Sequence, residues 1–95
     1  MEVSKIGTTL VLRLYAGIDL SSASPLAIEY TDPDGNTGSL DATAYGDNND
    51  YAEATFPAAT AVTKGVWLFE ITGTISSAPY KSYETFRLRL KNRFN

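Results

Sequence analysis

The stretch Val66-Trp67-Leu68-Phe69-Glu70-Ile71-Thr72-Gly73-Thr74-Ile75 decides the fold. Trp67, Phe69, Ile71 and Ile75 share one phase of a two-residue period, and Leu68, Glu70, Thr72 and Thr74 share the other. Successive side chains of an extended chain point to opposite faces, so this spacing predicts a strand with one dry side and one wet side. A helix would scatter the same four apolar residues around its axis.

Working outward, the pattern recurs along the chain. Leu10, Leu12 and Leu14 alternate with Val11, Arg13 and Tyr15, and Leu26, Ile28 and Tyr30 alternate with Ala27, Glu29 and Thr31. Leu40, Ala42 and Ala44 oppose Ser39, Asp41, Thr43 and Tyr45, while Ala52, Ala54 and Phe56 oppose Tyr51, Glu53 and Thr55. Near the C-terminal end, Phe86, Leu88 and Leu90 oppose Thr85, Arg87, Arg89 and Lys91. The breaks between these runs are turn chemistry. Asp32-Pro33-Asp34-Gly35-Asn36 predicts a tight hairpin, because Pro presets φ and Gly accepts a left-handed backbone. Gly46-Asp47-Asn48-Asn49-Asp50 and Ser76-Ser77-Ala78-Pro79 read as loops, and residues 57–64 as a segment with room for one short helical turn. Six or seven short strands at this spacing predict an all-β, immunoglobulin-like antiparallel sandwich, with a small closed barrel as the alternative. Its core is expected to hold Trp67, Phe69, Ile71, Phe86, Leu88 and Leu90.

The chain has 95 residues, enough for one domain spanning 1–95. Its composition, 43% hydrophobic and 20% charged with no Cys and no His, narrows the chemistry. No disulfide and no thiolate metal site can form. The commonest general base and transition-metal ligand is missing as well. No apolar run is long enough to cross a bilayer as a helix, and the first residues lack a signal-peptide pattern, so synthesis in a cytoplasm is expected.

Carboxylates remain, but they gather in turns where water keeps them ionised, and a small sandwich has little volume for the walled pocket a glycosidase needs. No phosphate loop or dinucleotide fingerprint is present. Asp32, Asp34 and Asn36 open like a calcium loop, yet Gly35 stands fourth and Thr43 twelfth, where such a loop needs Gly sixth and Glu twelfth. Asp47 and Asp50 supply oxygens for at most a weak surface calcium site. The expectation is a non-enzyme without cofactor or metal.

Two surface features remain. Arg87, Arg89, Lys91 and Arg93 line one side of the last run, whereas the acids crowd the first half; the net charge is −3. An acidic chain with so narrow a basic strip is not expected to bind nucleic acid. The strip suits either protection of an edge strand or docking on an acidic face, including that of another copy. Tyr15, Tyr45, Tyr51, Tyr80 and Tyr83 lie beside polar loops, where exposed tyrosines serve protein contacts or sugar stacking. Tyr45, Tyr51 and Tyr80 join the four basic residues as interface candidates.

The strand at Thr9–Tyr15, the segment Gly17-Ile18-Asp19-Leu20-Ser21-Ser22-Ala23, the Asp32-Pro33-Asp34-Gly35 hairpin, Tyr51, and Lys64-Gly65-Val66-Trp67-Leu68-Phe69-Glu70 follow one another in a recognisable order. That order resembles small immunoglobulin-like proteins encoded among bacteriophage structural genes, and the N-terminal domain of phage upper baseplate proteins. The resemblance covers roughly residues 9–90. It implies a virion component (tail, baseplate or head decoration), assembled in a bacterial cytoplasm and joined to other virion proteins or to copies of itself. It carries no site residues, since the matching positions are turns and core. The reading that competes from the residues is a carbohydrate-binding module using Tyr45, Tyr51 or Tyr80.

Overall fold

The computed structural model describes residues 2–5, 9–60, 63–82 and 85–91, with backbone alone at 2–5 and 91. Among them are nine strands and no helix: β1 (Glu2–Lys5), β2 (Leu10–Tyr15), β3 (Ala23–Thr31), β4 (Thr37–Asp41), β5 (Thr43–Tyr45), β6 (Tyr51–Phe56), β7 (Gly65–Ile75), β8 (Ala78–Lys81) and β9 (Phe86–Lys91). One sheet runs β1-β9-β7-β3-β4, with β8 also on β7, and the other runs β2-β6-β5. All pairings are antiparallel except β1 with β9. The chain crosses between layers at β1–β2, β2–β3, β4–β5 and β6–β7, which is the immunoglobulin-like way of closing a sandwich. A barrel would bond the sheets along their edges, whereas among the described residues β2 and β5 each pair only with β6.

The inward phase of each run meets in one core: Leu12, Leu14, Leu26, Ile28, Ala52, Ala54, Phe56, Trp67, Phe69, Ile71, Leu88 and Leu90 are buried, as is Leu20 from the β2–β3 loop. Trp67 occupies its centre, with its ring 5.0 Å from Phe56 and 5.5 Å from Tyr30. The indole N–H donates to the Thr63 carbonyl at 2.9 Å, so the one polar atom of this side chain is satisfied. Phe86 departs from the expected core. It is half-buried and packs against the core from its margin, where among the described residues no further strand lies beyond the β2 edge.

The extra strands beyond the six alternating runs have physical causes. The run from Ser39 to Tyr45 divides at Ala42, whose N–H donates to Leu26 O at 3.0 Å before the chain changes sheets, giving β4 and β5. Ser76 and Ser77 take positive φ (51° and 66°) and form a two-residue hairpin turn, so Ala78 and Pro79 open β8 and do not belong to a loop. Pro79 is tolerated there because an edge strand leaves its missing donor unused. Residues 57–64 contain a single hydrogen-bonded turn among the described residues, Thr60 N–H to Pro57 O at 2.9 Å. The Asp32–Asn36 hairpin forms as expected: Asp32 Oδ1 accepts the N–H groups of Asp34 (2.9 Å) and Asn36 (2.8 Å), and Gly35 has φ +89°.

β8 and β9 lie along the same side of β7, one against its second half and one against its first. Buried Ser82 bridges the gap: its N–H donates to Ile71 O (2.9 Å) and its Oγ accepts Ile71 N–H (3.0 Å). Ser82→Ala leaves a buried donor without its acceptor and is expected to cost about 1–3 kcal/mol. A chemical-denaturation midpoint matching the wild type within error would contradict this role.

Candidate interaction face

The outward phase of the smaller sheet carries a row of three tyrosines. Register places Tyr15 opposite Tyr51 and Tyr51 opposite Tyr45, so residues distant in sequence become neighbours across three strands. Ring centroids lie 5.2 Å apart for Tyr15–Tyr51 and 6.3 Å for Tyr45–Tyr51. In the next row Arg13 faces Glu53, and beyond it Val11 faces Thr55. Tyr15 and Val11 are 56% and 58% exposed, which is high for large apolar side chains on a sheet face.

Arg13 orders the centre of this face. Its Nε donates to Glu53 Oε2 at 2.8 Å, and its guanidinium carbon lies 4.1 Å from the centre of the Tyr45 ring. The hydrogen bond to Glu53 raises the Arg13 pKa above its ordinary value. The pair is largely open to solvent, so it fixes geometry and adds little stability. The guanidinium and the tyrosine rings together give a surface that is apolar in body and polar at its tips, and Tyr and Arg are residue types enriched at protein interfaces.

The rings do not share a plane. Tyr15 and Tyr51 are inclined at 59°, and Tyr45 and Tyr51 at 80°. A flat platform for a sugar chain needs coplanar rings, so this cluster meets a ligand with edges and hydroxyls as much as with faces. At the end of the row lies an open polar depression of about 430 Å³, lined by residues from Gly17 to Asp19 and from Asp47 to Asp50. Asp19 Oδ1 there accepts Ser21 N–H at 2.8 Å, and the Ser21 hydroxyl and N–H hold its carboxyl below its ordinary value. Among the described residues no three carboxylates converge as metal ligands.

The sequence-derived candidates separate onto different surfaces. Tyr45 and Tyr51 belong to the tyrosine row. Tyr80 is on β8 of the larger sheet, half-buried and packed against the core, so it does not join them. Arg87 and Arg89 are exposed on β9, opposite Leu68 and Val66 of β7. Lys91 ends β9, with only its backbone described, and Arg93 lies outside the described residues. Tyr15, Arg13 and Val11 are not among the leading candidates that the sequence offers. Their signal is present as the outward phase of the Leu10–Tyr15 alternation, but only register shows that they adjoin Tyr51 and Tyr45.

No protein-family profile matches the chain, and no curated protein matches it significantly. A solved structure with the same fold is that of a candidate glycoside hydrolase from Bacteroides vulgatus ATCC 8482, with TM-score 0.55 and 12% sequence identity. The alignment covers 100% of this chain and 17% of that protein. At this identity the likeness concerns the sandwich alone.

Proposed function

We propose that this protein is a non-catalytic structural component of a bacteriophage particle, in tail, baseplate or head decoration, that docks on other particle proteins through the outer face of the β2-β6-β5 sheet. The carrying observation is the exposed Tyr15–Tyr51–Tyr45 row, cross-braced by Arg13 and Glu53. An ordered set of rigid aromatics loses little side-chain freedom on contact, and tyrosine and arginine dominate the energetics of protein interfaces. The phage assignment draws on the resemblance over residues 9–90. Two of the segments that carry it meet in the fold: a Cβ built at Gly65 would lie 2.8 Å from the Pro33 ring.

The test is co-purification and light scattering of the protein with the products of adjacent genes. A defined complex is expected, and Tyr51→Ala should weaken it at least about tenfold, the scale of an interface hot spot. A protein that forms no complex with any neighbouring product, or a complex indifferent to Tyr51→Ala, would overturn the reading. Specific glycan binding lost on Tyr51→Ala would replace it with the carbohydrate-binding alternative.

A further inference from the structure

Among the described residues, β2 is the longest free sheet edge that Pro does not interrupt and that strong charge does not guard. Of the other edges, β5 has three residues, β1 four, and β8 carries Pro79 and Lys81. β4 is five residues long and includes Gly38 and Asp41. β2 has six residues, Leu-Val-Leu-Arg-Leu-Tyr, and its one charge is already paired with Glu53. In the usual immunoglobulin arrangement the first strand lies beside the second, whereas here β1 pairs with β9 in the other sheet, and among the described residues no strand takes this position.

The hydrogen-bonding phase of that edge follows from the register. Ala16 N–H donates to Asp50 O at 2.8 Å, continuing the β2–β6 ladder. Hydrogen-bonded pairs alternate along an antiparallel ladder, so Leu10, Leu12 and Leu14 direct their main-chain groups at β6. Val11, Arg13 and Tyr15 therefore turn their N–H and C=O groups to the free side. Beside them runs a groove of about 540 Å³, lined by β2 from Val11 to Leu14 and, across the gap between sheets, by Thr85, Phe86 and Arg87. Half-buried Phe86 supplies its apolar wall, and exposed Arg87, with no carboxylate partner among the described residues, stands on its rim.

We infer that β2 is a strand-addition site, whose occupant is an extended segment of a partner protein with apolar side chains at alternate positions and a carboxylate placed to meet Arg87. Main-chain pairing with Val11 and Arg13 supplies affinity, while the groove beside Phe86 reads the alternate side chains. A folded copy of this chain does not suit the groove, because the edge of an intact sandwich has already committed its inward side chains to its own core. This site shares β2 with the tyrosine row but uses the strand's free main-chain edge where the row uses its outward side chains, and it stands independently of the virion reading.

The experiment is selection from a pooled library of short peptides, apolar at alternate positions and random between, against the full chain. Binders with an acidic residue at one fixed position are expected, and on binding the Val11 and Arg13 amides should gain hydrogen-exchange protection. Val11→Pro removes an outward donor while sparing the β6 ladder, so it should keep the fold by circular dichroism and reduce binding at least about tenfold. Arg87→Glu should switch the selected charge from acidic to basic. Absence of enriched peptides, binding unchanged by Val11→Pro, or selection indifferent to Arg87→Glu would overturn the proposal. So would a solution dimer abolished by Val11→Pro, which would make the occupant a second copy.

Discussion

Trp67→Ala is expected to destabilise the domain by about 3–5 kcal/mol, the cost of emptying a large, fully enclosed aromatic site. Trp67 is 2% exposed and touches both layers: Phe56 from the smaller sheet, Tyr30 from the larger. Phe56 in turn packs edge-on against Phe69 at 5.5 Å, so one deletion loosens an aromatic chain that joins the sheets. Domains of this size hold only about 5–15 kcal/mol in total, so a substantial fraction of the variant should be unfolded at moderate temperature. With about 4–8 °C lost per kcal/mol, the melting temperature should fall by well over about 10 °C. Calorimetry or urea unfolding checks this directly. Trp67→Phe separates packing from hydrogen bonding, because it keeps most of the former and removes the bond to Thr63 O; it should cost less than half as much. If Trp67→Ala and Trp67→Phe proved equally mild, the indole would not be the pin between the layers.

The second large effect is expected at Gly65, the first residue of β7. Its φ is +128°, and a Cβ there would stand 2.8 Å from both Cβ and Cγ of Pro33. Gly65→Ala thus meets two penalties: a backbone region nearly closed to L-residues, at about 1–3 kcal/mol, and an overpacked contact of about 1–3 kcal/mol. Pro33 belongs to the hairpin between β3 and β4 and its ring is rigid, so relief requires moving the hairpin or the start of β7. A destabilisation of several kcal/mol by urea unfolding is the expected result. Pro33→Ala in the same background should recover part of it by removing the Cγ contact. Recovery would identify the clash; no recovery would mean that the backbone conformation accounts for most of the loss.

The strands are legible in the sequence because burial imposes a two-residue period that no other regular structure shares. Leu12, Leu14, Ile28, Phe56, Trp67 and Ile71 all fall on the predicted dry phase. Three things are not legible. Ala42 looks like any other inward alanine, and only the geometry of neighbouring strands makes the chain leave one sheet there. Ser76-Ser77 lacks the glycine or asparagine that usually signals a left-handed turn, so Ala78 and Pro79 read as loop although they begin a strand. Phe86 obeys the pattern, but the pattern says which face a residue takes and not whether another strand lies over it. The tyrosine row is half visible. Tyr45 and Tyr51 flank one loop and are close in sequence, whereas Tyr15 joins them through a pairing set by the whole β2–β6 register.

The parallel pairing of β1 with β9 has a mechanical consequence. Glu2 to Lys5 align with Leu88 to Lys91 in the same direction, so the leading end of the first strand and the trailing end of the last lie at opposite poles of the short ladder they share. Tension applied between those poles slides the two strands lengthwise past each other. Their main-chain bonds then share the load together, instead of opening one after another as in a peeled hairpin. A chain tethered by both ends would resist pulling through this short clamp, and its yield force should fall sharply if the β1 residues were deleted.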